Sequence, residues 1–92
     1  MQFEWDDKKN KVNIRKHGID FADVPSMFDH PMVVNLDARR NYEEDRWIGI
    51  GLLKNIVAVV VFTERENETI RIISARKANH YERTNYEKEI PK

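Results

Sequence analysis

The chain has 92 residues, of which 40% are hydrophobic and 35% charged, enough for one core in one domain spanning residues 1–92. Its 16 basic and 16 acidic residues cancel, which argues against a protein that binds nucleic acid by bulk attraction alone. Cysteine is absent, which excludes disulfides, a thiolate nucleophile and thiolate metal sites. The longest apolar run, residues 56–62, is too short to span a bilayer, and no export signal is present. We therefore expect a cytoplasmic protein without membrane contact.

The first predicted elements are a short strand at residues 2–5 and a helix. Asp6 or Asp7 caps this helix, which is expected to run to about His17. Gly18 follows at the position where a left-handed conformation costs glycine least. The spacing therefore predicts a helix that ends sharply at Gly18.

A second short helix is expected after Asp20, whose carboxylate can accept the first amide hydrogens. Pro25 breaks its regularity and Pro31 closes the segment. The residues expected to share its buried face are Phe21, Val24 and Phe28.

The chain becomes strand-like from residue 32, with candidate strands at residues 32–36, 46–52, 56–63 and 69–75. Residues 56–62 are apolar on both faces, which predicts a central strand. Short polar breaks at residues 54–55 and 66–68 favour antiparallel neighbours over crossover helices. Asn79, with Glu82 three residues later, predicts a capped terminal helix to about residue 89. The expected fold is α+β, with N-terminal helices packed on an antiparallel sheet and a C-terminal helix.

Two groups of polar residues have both a structural and a functional interpretation. Lys16 and His17 stand where the first helix ends, and cations there stabilise the helix terminus by about 0.3 to 1 kcal/mol. The functional alternative is that they face a substrate phosphate, since histidine transfers protons near neutral pH. Glu64 and Arg65 end the central strand, where either a ligand site or a charged hairpin tip is expected.

The last strand carries two arginines within an apolar pattern, Arg71 and Arg76. An arginine there needs an acidic partner, a phosphate or an exposed sheet edge. Regular alternation places the two arginines on opposite faces, so they serve one site only if the strand ends or bulges between them. We therefore expect Arg71 to be the less involved of the two in catalysis.

The region from Thr69 to Arg83 has four cations and one anion, a density suited to phosphate binding. On the terminal helix, arginine with tyrosine can pair and stack with RNA, although such tyrosines more often dock a helix to its sheet. The candidate RNA-binding residues here are Arg71, Lys77, His80, Tyr81, Arg83 and Tyr86. The histidines are scattered, so neither a metal nor another cofactor is expected.

Several motifs occur together, in order, along nearly the whole chain. They are Phe3 to Asp6, Lys16 to Phe21, Phe28 to Pro31, Thr63 to Arg65, Arg71 to Ala78, Tyr81 to Arg83, and Tyr86 with Glu87. In this combination the sequence resembles the BrnT family of type II toxins. The resemblance implies a RelE-like fold, RNA cleavage that arrests translation, and neutralisation by a BrnA-like antitoxin. It also implies that DNA contact belongs to the antitoxin and that higher-order toxin–antitoxin assemblies form.

The chemistry expected from these residues is metal-free cleavage, in which the RNA 2′-hydroxyl attacks the adjacent phosphate. Glu64 or His17 is the expected base, and Arg65 and Arg76 the phosphate stabilisers, with Lys16 or His80 contributing further charge. Tyr81 or Tyr86 is available for base stacking. The alternative is a non-catalytic RNA- or ribosome-binding module that blocks translation, and a third possibility is a decayed toxin kept as an antitoxin-binding scaffold.

Overall fold

The computed structural model describes residues 1–39 and 43–90, and the described chain confirms the predicted α+β class. Its elements, in chain order, are β1 (Gln2–Glu4), α1 (Asp7–His17), a 3₁₀ helix (Phe21–Asp29), β2 (Val33–Leu36), β3 (Trp47–Leu53), β4 (Ile56–Arg65), β5 (Thr69–Lys77) and α2 (His80–Glu89). Among the described residues no helix is long and apolar enough to cross a membrane.

The five strands form one sheet in the order β1-β5-β4-β3-β2. Strands β2 to β5 form the predicted antiparallel meander, and the apolar β4 is the central strand, as expected from its pattern. Strand β1 adds to the far side of β5 in parallel, with Phe3 opposite Ile70. This one parallel pair makes the sheet mixed, whereas the expectation was an antiparallel sheet.

The capping predictions are confirmed. The carboxylate of Asp6 accepts a hydrogen bond from the backbone N–H of Lys9 at 3.0 Å, and Gly18 ends α1 with φ of 69°. At the start of α2, Asn79 and Glu82 form a complete capping box, in which each side chain accepts a hydrogen bond from the backbone of the other. These caps satisfy backbone groups that a helix end leaves without partners.

The 3₁₀ helix packs against one face of the sheet, here called the inner face. It buries Phe21, Val24 and Met27 completely, at intervals of three residues. Phe28, which we expected in this row, is only half-buried and packs its ring 5.1 Å from those of Phe3 and Phe62. The expected face is corrected because a 3₁₀ helix has three residues per turn, whereas the expectation assumed the α-helical spacing.

The inner face of β3 is lined by glycines so that a methionine can cover it. A Cβ at Gly51 would lie 2.6 Å from Cγ of Met32, and a Cβ at Gly49 would lie 3.5 Å from its sulfur. The side chain of Met32 thus occupies the space that these glycines leave open, and it packs against the core. The contact of Met32 with these glycines holds the residue before β2 against the inner face of β3.

A β-bulge in β5 changes the faces of its side chains. Val61 pairs with Ser74 and Phe62 with Ile72, so Ile73 has no counterpart on β4. Alternation is therefore reset at Ile73, and both Arg71 and Arg76 lie on the outer face, opposite the 3₁₀ helix. Regular alternation would have placed the two arginines on opposite faces. The structure has the bulge that the sequence left open as the alternative, and its inserted residue shifts the two-residue repeat by one.

Candidate functional site

Helix α1 lies along the edge of β5 that β1 leaves uncovered. The side-chain amide of Asn13 donates to the carbonyl of Ala75 at 2.8 Å and accepts from the N–H of Ala75 at 3.1 Å. The same amide donates to the carbonyl of Ile19 at 2.9 Å. Asn13 is 6% exposed, so these bonds satisfy it within the protein and fix α1 against β5.

A groove of about 350 Å³ runs between α1 and this edge, and it is here called the cationic groove. Three lysines and one histidine line the groove, and apolar and uncharged polar side chains form the rest of the lining. The lining residues are Lys8, Lys9, Val12, Asn13, Lys16, His17, Ile73 and Ser74. With no acidic side chain in this lining, the groove has the charge that an anionic chain requires.

The spacing of α1 accounts for this arrangement. Lys9 and Lys16 are seven residues apart, which is close to two helical turns and about 10 Å along the axis. Lys8 and His17 stand beside them, so the cations occupy the two ends of the groove. Val12 and Ile73 lie between these ends and present an apolar surface.

Beyond Ser74 lies a second cavity of about 210 Å³ on the outer face of the sheet, here called the outer pocket. Its floor is apolar and its rim is charged. The lining residues are Arg39, Ile48, Val59, Val61, Ser74, Arg76 and Glu82. Ser74 lines both cavities and therefore connects the cationic groove with Arg76.

Arg76 and Glu82 form a two-bond ion pair across the outer pocket. The guanidinium Nη1 and Nη2 donate to the two carboxylate oxygens at 2.8 and 2.7 Å. These hydrogen bonds hold the pKa of Glu82 below its ordinary value and raise the pKa of Arg76. The arginine side chain is nevertheless 40% exposed, so part of its guanidinium is accessible to a ligand.

The structure places Glu64 and Arg65 away from this region. They line a separate cavity of about 550 Å³ with Glu4, Glu66, Asn67 and Thr69. Three glutamates against one arginine make its lining acidic, which disfavours a phosphate. Arg65 contacts Glu44 at 3.6 Å, and the register puts it opposite Thr69, six β4 positions from the partner of Arg76. That distance is about 20 Å along the strand.

Arg71 shares the outer face with Arg76 but pairs with another carboxylate. Its Nη1 lies 2.6 Å from Oε2 of Glu4, the residue directly opposite it on β1. Their partners on β4, Thr63 and Val59, are four positions apart, about 13 Å along the strand, so the two arginines belong to different surroundings. Arg71 and Arg76 lie on the same face of the sheet, but Arg71 does not line the cationic groove.

The candidate residues at the end of β5 and on α2 differ in accessibility. Tyr81 is 79% exposed, whereas Tyr86 is 7% exposed and its ring is covered by the protein. Nη2 of Arg83 lies 3.3 Å from Nδ1 of His80 on the helix surface. Lys77 is exposed, and its carbonyl accepts a hydrogen bond from Arg76 at 3.4 Å.

Sequence reasoning missed four residues around the groove. Lys8 and Lys9 have a readable signal, because they stand two turns before Lys16 and His17 on a helix whose bounds were predicted. Asn13 and Ser74 have no such signal, since their roles depend on the docking of α1 against β5. Within residues 1–39 and 43–90 no three His, Asp or Glu side chains are grouped as metal ligands.

Comparison with known proteins identifies the family. The profile described as the ribonuclease toxin BrnT of a type II toxin–antitoxin system matches residues 5–82. The crystal structure of the Brucella abortus ribonuclease toxin BrnT is 30% identical and superposes with a TM-score of 0.68. That match covers 87% of this chain and 99% of the Brucella chain. The comparison with curated proteins finds no match. The chain belongs to the BrnT family of ribonuclease toxins from type II toxin–antitoxin systems.

Proposed function

We propose that this chain is a metal-independent endoribonuclease that binds RNA along the cationic groove and arrests translation in the cytoplasm. The observation that carries the proposal is the groove itself, in which Lys8, Lys9, Lys16 and His17 line one wall, beside the part of the β5 edge that β1 does not cover. A BrnA-like antitoxin is the proposed partner that restrains this activity and makes any contact with DNA. Larger toxin–antitoxin assemblies belong to the same proposal.

The layout of the groove suits a single RNA strand. Cations at its two ends can hold successive backbone phosphates, and binding to phosphates contributes much of the affinity for nucleic acid. Val12 and Ile73 supply an apolar surface between the ends, against which a base can lie. Asn13 keeps α1 and β5 at a constant separation, so the cations are held in position before RNA arrives.

In the proposed reaction the 2′-oxygen of a ribose attacks the adjacent phosphorus while its proton moves to a base. The bond from phosphorus to the 5′-oxygen breaks, and that oxygen takes a proton from an acid. The products are a 2′,3′-cyclic phosphate and a free 5′-hydroxyl. Cations offset the negative charge that develops on the phosphoryl oxygens.

His17 is the proposed proton-transfer group, with Lys16 and Arg76 as charge stabilisers. Of the two bases that the sequence suggested, His17 lines the cationic groove, whereas Glu64 lines the acidic cavity near the end of β4. An imidazole can accept the 2′-proton or donate to the leaving oxygen near neutral pH. Arg76 lines the outer pocket, which adjoins the cationic groove at Ser74.

The test is a cleavage assay with purified protein and a short single-stranded RNA, with and without EDTA. We expect cyclic phosphate ends in both conditions, and a rate at least about 100-fold lower for His17→Gln, since general acid–base groups contribute that much or more. His30→Gln, which changes an exposed histidine outside the groove, is the matched control and is expected to cleave normally.

Unchanged cleavage by His17→Gln would remove His17 from the reaction, and loss of cleavage in EDTA would contradict the metal-independent route.

Mapping RNA ends in growing cells separates a ribonuclease from a protein that blocks translation without cutting RNA. New, reproducible 5′ ends support cleavage, while growth arrest with intact RNA supports the non-catalytic module. Expression without the antitoxin that produces no arrest indicates a decayed toxin.

A further inference from the structure

Strand β2 forms the edge of the sheet opposite β1, and within residues 1–39 and 43–90 its one strand neighbour is β3. The N–H of Asp37 donates to the carbonyl of Arg46 at 2.7 Å, which identifies this pair as hydrogen-bonded. In an antiparallel ladder such pairs alternate with pairs that have no hydrogen bond. The backbone groups of Val34 and Leu36 therefore point away from β3, toward the open edge.

The same two residues expose apolar side chains. Val34 is 43% exposed and Leu36 is 50% exposed. By strand alternation they continue the row of Met32, which packs on the core. The sequence of β2, Val-Val-Asn-Leu, contains none of the charged residues or prolines by which natural edge strands avoid pairing with another chain. Backbone and side chains thus present one continuous binding edge.

Charges of both signs lie next to this edge, but Arg39 is paired with Asp37 at 2.8 Å, which leaves exposed carboxylates as the side chains without an ion pair in the described part of the chain. Asp29 precedes β2, and Glu43 and Asp45 precede β3 close to the Leu36 end. All three are exposed, and none forms an ion pair with another residue in the described ranges. A second copy of the chain paired antiparallel at β2 would bring Asp29 of one copy near the carboxylates of the other. Like charges oppose that arrangement, whereas a basic segment is attracted.

We propose that the open edge of β2 receives an extended segment of the antitoxin as an additional strand. The segment has alternating apolar side chains that cover Val34 and Leu36, and lysine or arginine at its ends. Main-chain hydrogen bonds supply affinity in this mode of binding, and the alternate side chains supply specificity. The inference rests on the proposed function for the partner's identity as an antitoxin. Edge β2 lies three strands from β5, so its variants leave the cationic groove intact.

The sharpest variant is Val34→Pro. It removes an N–H that the β2–β3 ladder does not use, and proline is tolerated on an edge strand when its nitrogen faces solvent. Leu36→Lys is the second variant, which adds charge to the apolar row without changing the backbone. Leu52→Lys is the matched control, because Leu52 is similarly exposed, at 40%, but lies on β3 with its side chain on the outer face.

The probe is the protein encoded by the neighbouring small reading frame, co-expressed and purified with each variant. We expect the parent chain and Leu52→Lys to bind it, and Val34→Pro and Leu36→Lys to bind at least tenfold more weakly. Both edge variants should still arrest growth, but co-expression of the probe should no longer rescue the cells. Hydrogen exchange at the Leu36 amide should slow at least tenfold in the parent complex.

Binding of both edge variants within twofold of the parent would overturn the inference, as would a parent chain that does not bind the probe. If Val34→Pro melts well below the parent chain, Leu36→Lys decides the result. The proposed function is tested separately. If the parent chain binds the probe at β2 but does not arrest growth, the ribonuclease proposal fails and this inference stands. If the chain arrests growth and the edge variants bind the probe as well as the parent does, this inference fails and the ribonuclease proposal stands.

Discussion

The two edges of the sheet deal with their backbone groups in different ways. The edge of β5 is closed, by β1 along residues 69–71 and by the side chain of Asn13 at Ala75. The edge of β2 stays open at Val34 and Leu36. The closed edge holds α1 rigidly and presents cations at a constant spacing, which suits chemistry on a phosphate. The open edge keeps its hydrogen-bonding capacity for another chain.

The same two edges also differ in charge, although the whole chain is neutral. Basic side chains line the groove beside β5, while exposed carboxylates flank β2. Net charge therefore says little about the partners of this protein, because basic and acidic side chains are gathered at different places on the surface.

The largest effect is expected for a substitution that removes the hydrogen bonds closing the edge of β5. Asn13→Ala removes three hydrogen bonds and leaves the N–H and C=O of Ala75 and the C=O of Ile19 without them. Each unsatisfied buried group costs about 1 to 3 kcal/mol, so we expect the free energy of unfolding to fall by about 3 to 5 kcal/mol in urea denaturation. Asn85→Ala, an exposed asparagine on α2, is the control and should change stability by less than about 0.5 kcal/mol. A small loss for Asn13→Ala would show that the docking of α1 does not depend on this amide.

The next effect concerns the chemistry that the closed edge supports. Arg76→Ala should lower the cleavage rate about 100- to 1000-fold, the typical cost of losing one group that stabilises a transition state. Folding should be nearly unaffected, because the arginine is 40% exposed. Arg71→Ala breaks a comparable ion pair on the same face and should lower the rate less than about tenfold. Equal losses from the two variants, measured with the same RNA, would contradict the assignment.

A moderate effect is expected beside the open edge. Gly51→Ala places a Cβ 2.6 Å from Cγ of Met32, so the methionine that anchors β2 must move. Overpacking of this kind costs about 1 to 3 kcal/mol, measurable as a lower urea midpoint. Adding Met32→Ala should make Gly51→Ala less costly, which a double-mutant cycle detects as a favourable coupling. Strict additivity would mean that the two residues do not compete for this space.

The smallest effect is a pH dependence at the Arg76 and Glu82 pair. Because the folded pKa of Glu82 lies below its ordinary value of 4.5, the pair stabilises the fold above that pH. The contribution is lost as the pH falls through the lower folded pKa. In Glu82→Gln the capping box is kept, since glutamine also fits that position. The variant should therefore lose less stability than the parent chain between about pH 5 and pH 3, as urea titrations at each pH can measure. Parallel curves would show that the ion pair has no net effect on folding.

The candidate site was only partly predictable. Lys16, His17 and Arg76 were singled out from their positions at the ends of predicted elements, and Lys8 and Lys9 follow from helical spacing once α1 is recognised. Glu64 and Arg65 belong to one of the motifs that carry the family resemblance, but Arg65 lies about 20 Å along the strand from the partner of Arg76. Their separation depends on the register between β4 and β5, for which short motifs contain no information.

The sequence alone was enough to determine the helices and strands of this protein, because the patterns that mark them are local. The caps at Asp6 and Gly18, the capping box at Asn79, and the apolar run of β4 each depend on residues within a few positions of one another. Only the tertiary structure decided the parallel docking of β1, the bulge at Ile73 and the bonds of Asn13 to Ala75. Those features join groups as far as 67 residues apart, and they are selected by packing and by the need to satisfy buried backbone groups.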